Sequence, residues 1–246
     1  ARPSSAVHLR ARRSAPAMGH AAVDLAIAAV GFAPVAARAV QLGVSWLCVS
    51  PACVLQVGWW AAFAAIAANY AMHAFIWYCP QSFASACASP PLRKLGGHPV
   101  DVFAVLEAPA KLLQAVGLLA LLGREGCAAA LGAVTTAPGW CWAALGACVV
   151  AGQIFNAATY AAIGNAGVYY GFKLGRTVPW CYGFPFNSGM RHPQYVGVVL
   201  TLWGGLTVVL CEELALRGVP QLVLAWAGMY VVMCAMEQAG DNDKTA

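Results

Sequence analysis

The chain has 246 residues, of which 61% are hydrophobic and 9% charged, with a formal net charge of +5 and a mean hydropathy of +0.68. A soluble domain carries about 25% charged residues, so this composition excludes an ordinary water-soluble fold and predicts an integral membrane protein. The ten cysteines form no Cys-x-x-Cys pair; neither a zinc site nor a disulfide framework is indicated, and buried cysteine packs as a small hydrophobe. Nothing in the sequence points to a metal ion or to nucleic acid.

Residues 1–20, "ARPSSAVHLRARRSAPAMGH", hold four arginines, three serines and no acid. They read as a basic tail on the cytosolic side of a first span or as an organelle targeting segment. Residues 21–246 then read as one membrane domain. A bilayer span needs about 20 apolar residues, and six blocks approach that length: 22–47, 56–79, 101–123, 139–163, 195–211 and 221–237. The expected fold is therefore an all-α integral membrane protein, a polytopic helical bundle of about six transmembrane helices. The range is four to six, because the first block contains Asp24, Pro34 and Arg38 and the fifth is short.

With the linkers assigned alternately to two sides, one side receives Arg2, Arg10, Arg12, Arg13, Arg93, Lys94, Lys173, Arg176, Arg191 and Lys244, and the other only Arg124 and Arg217. By the positive-inside rule the first side is cytosolic. The longest polar connection, 164–194, lies on it and carries most of the glycine and aromatic punctuation. Irregular backbone near a bilayer persists only where it is buried in protein or lines a wet cavity, so this connection is the candidate active region.

It ends in "GMRHPQYVG", where Pro193 suits the first turn of a helix. His192 and Tyr195 then stand three apart on one face of that helix, beside backbone N–H groups that favour an anion. The same residues would also serve as a basic interfacial anchor. Glu237 closes the last apolar block, and an acid at that depth is a functional candidate by default. Because the fifth block runs outward from Tyr195 and the sixth returns, Glu237 and the motif fall on one membrane face. Glu212 and Glu213 lie about 20 residues beyond His192, roughly 30 Å away at 1.5 Å per residue, and read as a solvated turn. Glu107 and Lys111 are one helical turn apart and read as a mutually neutralising pair. His98-Pro99 reads as a linker, and His73, one turn after Asn69, as a packing residue.

The stretch "GNAGVYYGFKLGRTVPWCYGFPFNSGMRHPQYVG", followed by an apolar block ending in Glu237, resembles the phospholipid N-methyltransferases, and most closely the plant-type phosphatidyl-N-methylethanolamine N-methyltransferases. The likeness extends to "WYCPQSFASAC" and "VLEAPAKLLQAVGLLALL", and so spans 57–246. The Arg-His-Pro-x-Tyr-x-Gly element alone is shared with isoprenylcysteine carboxyl methyltransferases and, more loosely, with sterol reductases; Phe184-Pro185-Phe186-Asn187 points to the phospholipid branch.

The resemblance implies an enzyme that methylates phosphatidyl-N-methylethanolamine and its dimethyl product to phosphatidylcholine, using S-adenosylmethionine without a Rossmann domain, in the endoplasmic reticulum. A plastid or mitochondrial membrane stays open because of the tail. A carboxyl methyltransferase of prenylated cysteine and a non-catalytic membrane scaffold or transporter are the alternatives. The family's Gly-x-Gly element maps to Val150-Ala151-Gly152, which keeps its second glycine, and its Glu-Glu pair to Glu237-Gln238, which keeps one acid.

The implied cofactor site adds Arg191, His192, Tyr195 and Gly197, with Gly164, Gly167 and Gly171 permitting close approach or helix packing. Arg191 would face the cofactor's carboxylate and Glu237 its cationic groups. His192 or Tyr195 is the expected catalytic proton acceptor. Lys173 and Arg176 are candidate phosphate partners or plain positive-inside charge. Trp180, Phe184 and Phe186, with Tyr182, would attract a methylated ammonium or form an interfacial belt. Oligomeric state is not legible.

Overall fold

Two prolines and two glycines place most of the helix boundaries that matter for function. The structure, a computed structural model, describes residues 17–44, 57–179, 181 and 183–242. Within them run α1 (Ala17–Gln41), α2 (Val57–Tyr78), α3 (Pro80–Cys87), α4 (Pro99–Thr136), α5 (Gly139–Val168), α6 (Pro193–Val209), α7 (Glu212–Leu216) and α8 (Val219–Asn242), with no strand among the described residues. Each of the six apolar blocks coincides with a long helix. The basic tail, apart from its last four residues, lies outside the described residues, as do Trp180 and Tyr182.

Pro99 and Pro193 each occupy a first helical turn, where the missing N–H leaves no bond unmade. His98 caps α4 by accepting from the Val100 N–H at 3.2 Å. At the other ends the blocks stop at glycine kinks: Gly123 (φ 58°, ψ −168°) interrupts α4 and Gly164 (φ 60°, ψ −177°) interrupts α5, in a region of backbone space open essentially to glycine alone. These kinks coincide with the ends of the apolar blocks at 123 and 163.

Ala21–Gln41, Pro99–Thr136, Gly139–Val168 and Val219–Gln238 are long and apolar enough to cross a membrane. The chain is accordingly an integral membrane protein. Helix α2 is long enough at 22 residues but carries Asn69, His73 and several Trp and Tyr residues, and α6 is shorter at 17 residues. Leu112, Val116 and Leu119 of α4, Val150 and Ile154 of α5 and Val231 and Val232 of α8 are exposed. So large an apolar surface would be a liability in water; in a bilayer it is the lipid-facing side.

The bundle closes around α6. Helix α5 packs along it more extensively than any other pair of elements pack, with α1 against it as well, while α2 joins α4 to α8. The α5–α6 crossing is made by small residues: a Cβ on Gly197 would lie 2.5 Å from the Gly152 carbonyl oxygen, and one on Gly204 would lie 2.9 Å from Cys148 Cβ. Close backbone approach of this kind drives helix association where no hydrophobic effect operates. On the far side of α6, Phe32 meets Trp203 edge-on at 5.0 Å. The core continues through Ile66, Ile76, Phe103, Leu210, Leu214 and Leu222, each at most 1% exposed.

Candidate active site

The N-terminus of α6 is held from across the bundle. Asp24 of α1, 8% exposed, accepts from the backbone N–H of His192 at 3.1 Å and from that of Arg191 at 3.3 Å. The helix end thus has its anion within the chain, which answers why α1 carries an acid among apolar residues. That carboxylate engages the amides of Arg191 and His192, which precede the helix proper at Pro193.

Glu237, near the end of α8, is the meeting point. Its Oε1 accepts from Tyr195 at 2.5 Å and from Tyr170 at 2.9 Å, and its Oε2 lies 3.3 Å from His192 Nδ1. The His192 and Tyr195 rings stack at 5.5 Å with planes 5° apart, as the three-residue spacing on one helix face allows. The second ring nitrogen, His192 Nε2, is buried and has no hydrogen-bond partner. A buried polar atom left unpaired costs about 1–3 kcal/mol, and such atoms cluster where a ligand completes them.

Tyr170 extends this set in a direction the sequence leaves unmarked. It sits in the turn after α5 with φ 54°, a conformation costing about 1–3 kcal/mol in a non-glycine residue and found at functional sites. It is held at both ends, by its bond to Glu237 and by edge contacts to Trp77 at 5.3 Å and His73 at 5.7 Å. Burial, and then the Glu237 carboxylate, push its phenol well above the ordinary range, so it remains a donor at physiological pH. His73 Nδ1 lies 3.3 Å from the Tyr170 hydroxyl and its Nε2 lies 2.6 Å from Glu107 Oε1. Glu107 Oε2 is 3.4 Å from Lys111 Nζ. A continuous polar line therefore runs Glu237–Tyr170–His73–Glu107–Lys111. The Glu107–Lys111 pair expected from their spacing is present, and His73 is a linking residue as well as a packed one.

A cavity of about 400 Å³ opens beside Glu237. Arg191, His192, Tyr195, Glu237, Gly167 and Phe186 line it, together with Trp77 and Thr159, which the sequence does not single out. The other candidate residues stand elsewhere. Gly152 and Gly197 form the helix crossing; Val150 is 59% exposed on the lipid side. Ala151 and Gln238 do not border the cavity. Gly164 makes the kink, and Gly171 donates to the Ala166 carbonyl at 2.6 Å to close the turn. Lys173 donates to the Trp77 carbonyl at 3.0 Å and lies over its ring at 3.8 Å. Arg176 makes a bidentate pair with Asp101 at 2.5 and 2.7 Å, which also raises its own proton affinity. Phe184 is half exposed, 6.2 Å from Phe155.

At the opposite end of α6, about 25 Å away for 17 residues, Arg217 pairs with Glu213 at 2.7 Å and Glu125 at 3.1 Å. Glu213 has no part in the cavity. Among the described residues no group of His, Cys, Asp or Glu could hold a metal ion.

Residues 140–239 match the family model described as Phospholipid methyltransferase. That segment contains α5, the turn with Tyr170, the α6 motif and Glu237, and is narrower than the span 57–246 of the sequence resemblance. Over 96 residues the chain is 36% identical to a phosphatidyl-N-methylethanolamine N-methyltransferase of Arabidopsis thaliana, covering 39% of this chain and 52% of that protein. The chain thus spans about half the length of the curated relative it matches. No solved structure matches it significantly. A methyltransferase of this family implies a methyl donor.

Proposed function

We propose that this protein is an S-adenosylmethionine-dependent phospholipid N-methyltransferase that converts phosphatidyl-N-methylethanolamine and the dimethyl lipid to phosphatidylcholine. The observation that carries the reading is the convergence of Tyr170, His192 and Tyr195 on Glu237 at the edge of a 400 Å³ cavity, inside the segment that matches the family. The active region is assigned to the cytosolic face, and the membrane to the endoplasmic reticulum.

The residues present fit the cofactor. It carries an ammonium, a carboxylate and a sulfonium; Glu237 suits the cationic groups, Arg191 the carboxylate, and His192 Nε2 is a buried polar atom awaiting a partner. When bound, S-adenosylmethionine supplies an electrophilic methyl carbon. The protein's own contribution is placement: Tyr170 and Tyr195 fix the Glu237 carboxylate by hydrogen bonds worth about 1.5–3 kcal/mol each to a charged group, and the apolar walls Ile163, Phe186 and Trp77 exclude water. An acceptor ammonium must lose a proton before its nitrogen can attack. With both phenol protons directed at Glu237, His192 Nε2 is the group with free capacity to accept it.

The test is a head-to-head assay of purified protein in one detergent, with labelled cofactor and unmethylated, monomethyl and dimethyl lipids beside a prenylated cysteine. Turnover of the methylated lipids is expected to lead. Transfer to the prenylated cysteine alone would replace the reading with a carboxyl methyltransferase, and failure to bind the cofactor in calorimetry would leave a non-catalytic membrane protein.

A further inference from the structure

A second cavity, of about 70 Å³, adjoins the first and shares Val168, Gln194 and Tyr195 with it. Its chemistry differs. Tyr70, Tyr160, Tyr169 and Tyr230 border it with Asn69 and Glu107. Asn69 is 7% exposed, and its Oδ1 has no hydrogen-bond partner. Glu107 is 5% exposed, while the Lys111 side chain beside it is 62% exposed.

Resting on the methyl-transfer reading above, we propose that this chamber takes the N-methylated ammonium of the zwitterionic lipid head, with the phosphate at Lys111. Each wall excludes a different alternative. A buried carboxylate repels an anion, and an unpaired amide oxygen disfavours a purely apolar guest. Tyrosine faces attract a cation, most of all one whose surface is methyl groups. The Glu107–Lys111 pair is itself a small zwitterion, with the anion inside and the cation at the rim. A phosphoethanolamine head has the complementary order, so on binding Glu107 exchanges Lys111 for the ammonium and Lys111 exchanges Glu107 for the phosphate. Val168, Gln194 and Tyr195 border both cavities, so the chamber meets the larger cavity at these residues.

The chamber also discriminates by methyl count. The Tyr160 and Tyr169 hydroxyls bond each other at 2.9 Å, and the Tyr70 hydroxyl accepts from Trp226 Nε1 at 3.0 Å. Asn69 Oδ1, buried and without a partner, is an acceptor with unused capacity in the same chamber as the Glu107 carboxylate. Monomethyl and dimethyl ammonium have an N–H for it; the trimethyl ammonium of the product has none, which favours release.

Binding decides the proposal independently of turnover. Diheptanoyl phospho-N,N-dimethylethanolamine and diheptanoylphosphocholine are titrated calorimetrically into the full chain and into Asn69→Leu, Glu107→Gln and Tyr160→Leu, with retained S-adenosylmethionine binding as the check of fold. The wild type is expected to bind the dimethyl head about tenfold more tightly than the choline head, the scale of one hydrogen bond to a charged group. Asn69→Leu should erase that preference, Glu107→Gln should weaken both heads about tenfold, and Tyr160→Leu should weaken the more methylated head more. Affinities unchanged in Asn69→Leu and Glu107→Gln overturn the proposal. So does failure to bind either probe by a protein that binds the cofactor. If the lipids are methylated with their KM values unmoved in these variants, the chamber assignment falls and the methyl-transfer reading stands; if the wild type neither binds the cofactor nor transfers a methyl group, that reading falls.

Discussion

Tyr195 and Glu237, in the first turn of α6 and near the end of α8, share a 2.5 Å hydrogen bond that ties the two helices together beside the larger cavity. The same carboxylate holds Tyr170 and faces His192, so its removal frees three side chains at once. Glu237→Ala and His192→Ala are each expected to lower turnover or cofactor affinity ten- to a hundredfold, the scale of about 1.5–3 kcal/mol for a hydrogen bond to a charged group. Glu213→Ala, which breaks a pair with Arg217 at the far end of α6, should stay within about fivefold, since exposed pairs are worth about 0.2–1 kcal/mol. Steady-state kinetics with cofactor titration checks this. Damage by Glu213→Ala and silence of Glu237→Ala would undo the pairing of function with this end of the helices.

Asp24 supports the motif without bordering either cavity. Its bonds to the Arg191 and His192 amides resemble a helix N-cap supplied by another helix, and losing a cap costs about 0.5–2 kcal/mol. Asp24→Ala should therefore lower thermal stability in detergent and loosen cofactor binding, while Asp24→Asn, which keeps an acceptor oxygen, recovers most of the stability. Equal loss in both variants would show that charge rather than capping is what α1 provides.

The sequence discloses the six helical blocks because hydrophobic length is a local signal; the kinks at Gly123 and Gly164 are findings of the structure. It also discloses that His192, Tyr195 and Glu237 can meet, because an antiparallel pair of helices returns the chain to the same membrane face. It leaves Tyr170 unmarked and His73 in the core, since both depend on α2 reaching α8 and on the reversal after Gly164, which have no short-range signature. The usable signal was Glu107: an acid eight residues into an apolar helix is a functional candidate by default, and its partner Lys111 accounts for only one of its oxygens. Gly152 and Gly197 show the converse. Their motif positions suggest a ligand, while their backbones face each other, a distinction that depends on the helix crossing.

That crossing sets the third expectation. A Cβ at Gly197 falls 2.5 Å from the Gly152 carbonyl oxygen, whereas one at Gly205 on the same helix meets nothing within 4 Å. Gly197→Ala should force α5 and α6 apart and destabilise by about 1–3 kcal/mol, as overpacking does. Gly205→Ala should be neutral or stabilising by about 0.5–1 kcal/mol, the usual gain from removing a helix-interior glycine. Thermal unfolding of both variants in one detergent reads the difference. A stable, fully active Gly197→Ala would mean that the two backbones do not touch and would return Gly197 to the candidate ligand contacts.

The orientation can be read from two exposed positions at opposite ends of α6. Ten linker cations are assigned to the side of the 164–194 connection and only Arg124 and Arg217 to the other, a bias from which the positive-inside rule predicts a cytosolic first side. Ser188, exposed in the turn before the motif, and Glu125, whose side chain is 87% exposed beside Arg217, are separated by roughly the 25 Å length of α6. In a variant with its native cysteines replaced, Ser188→Cys in sealed microsomes should react with an impermeant thiol reagent from outside, and Glu125→Cys only after detergent opens the vesicles. The reverse pattern would put the cavity on the lumenal side, away from a cofactor made in the cytosol, and the methyl-transfer reading would then require a separate route for the methyl donor. Labelling of both positions before detergent would mean that α6, at 17 residues, does not cross the bilayer and that His192 and Glu213 share one face after all.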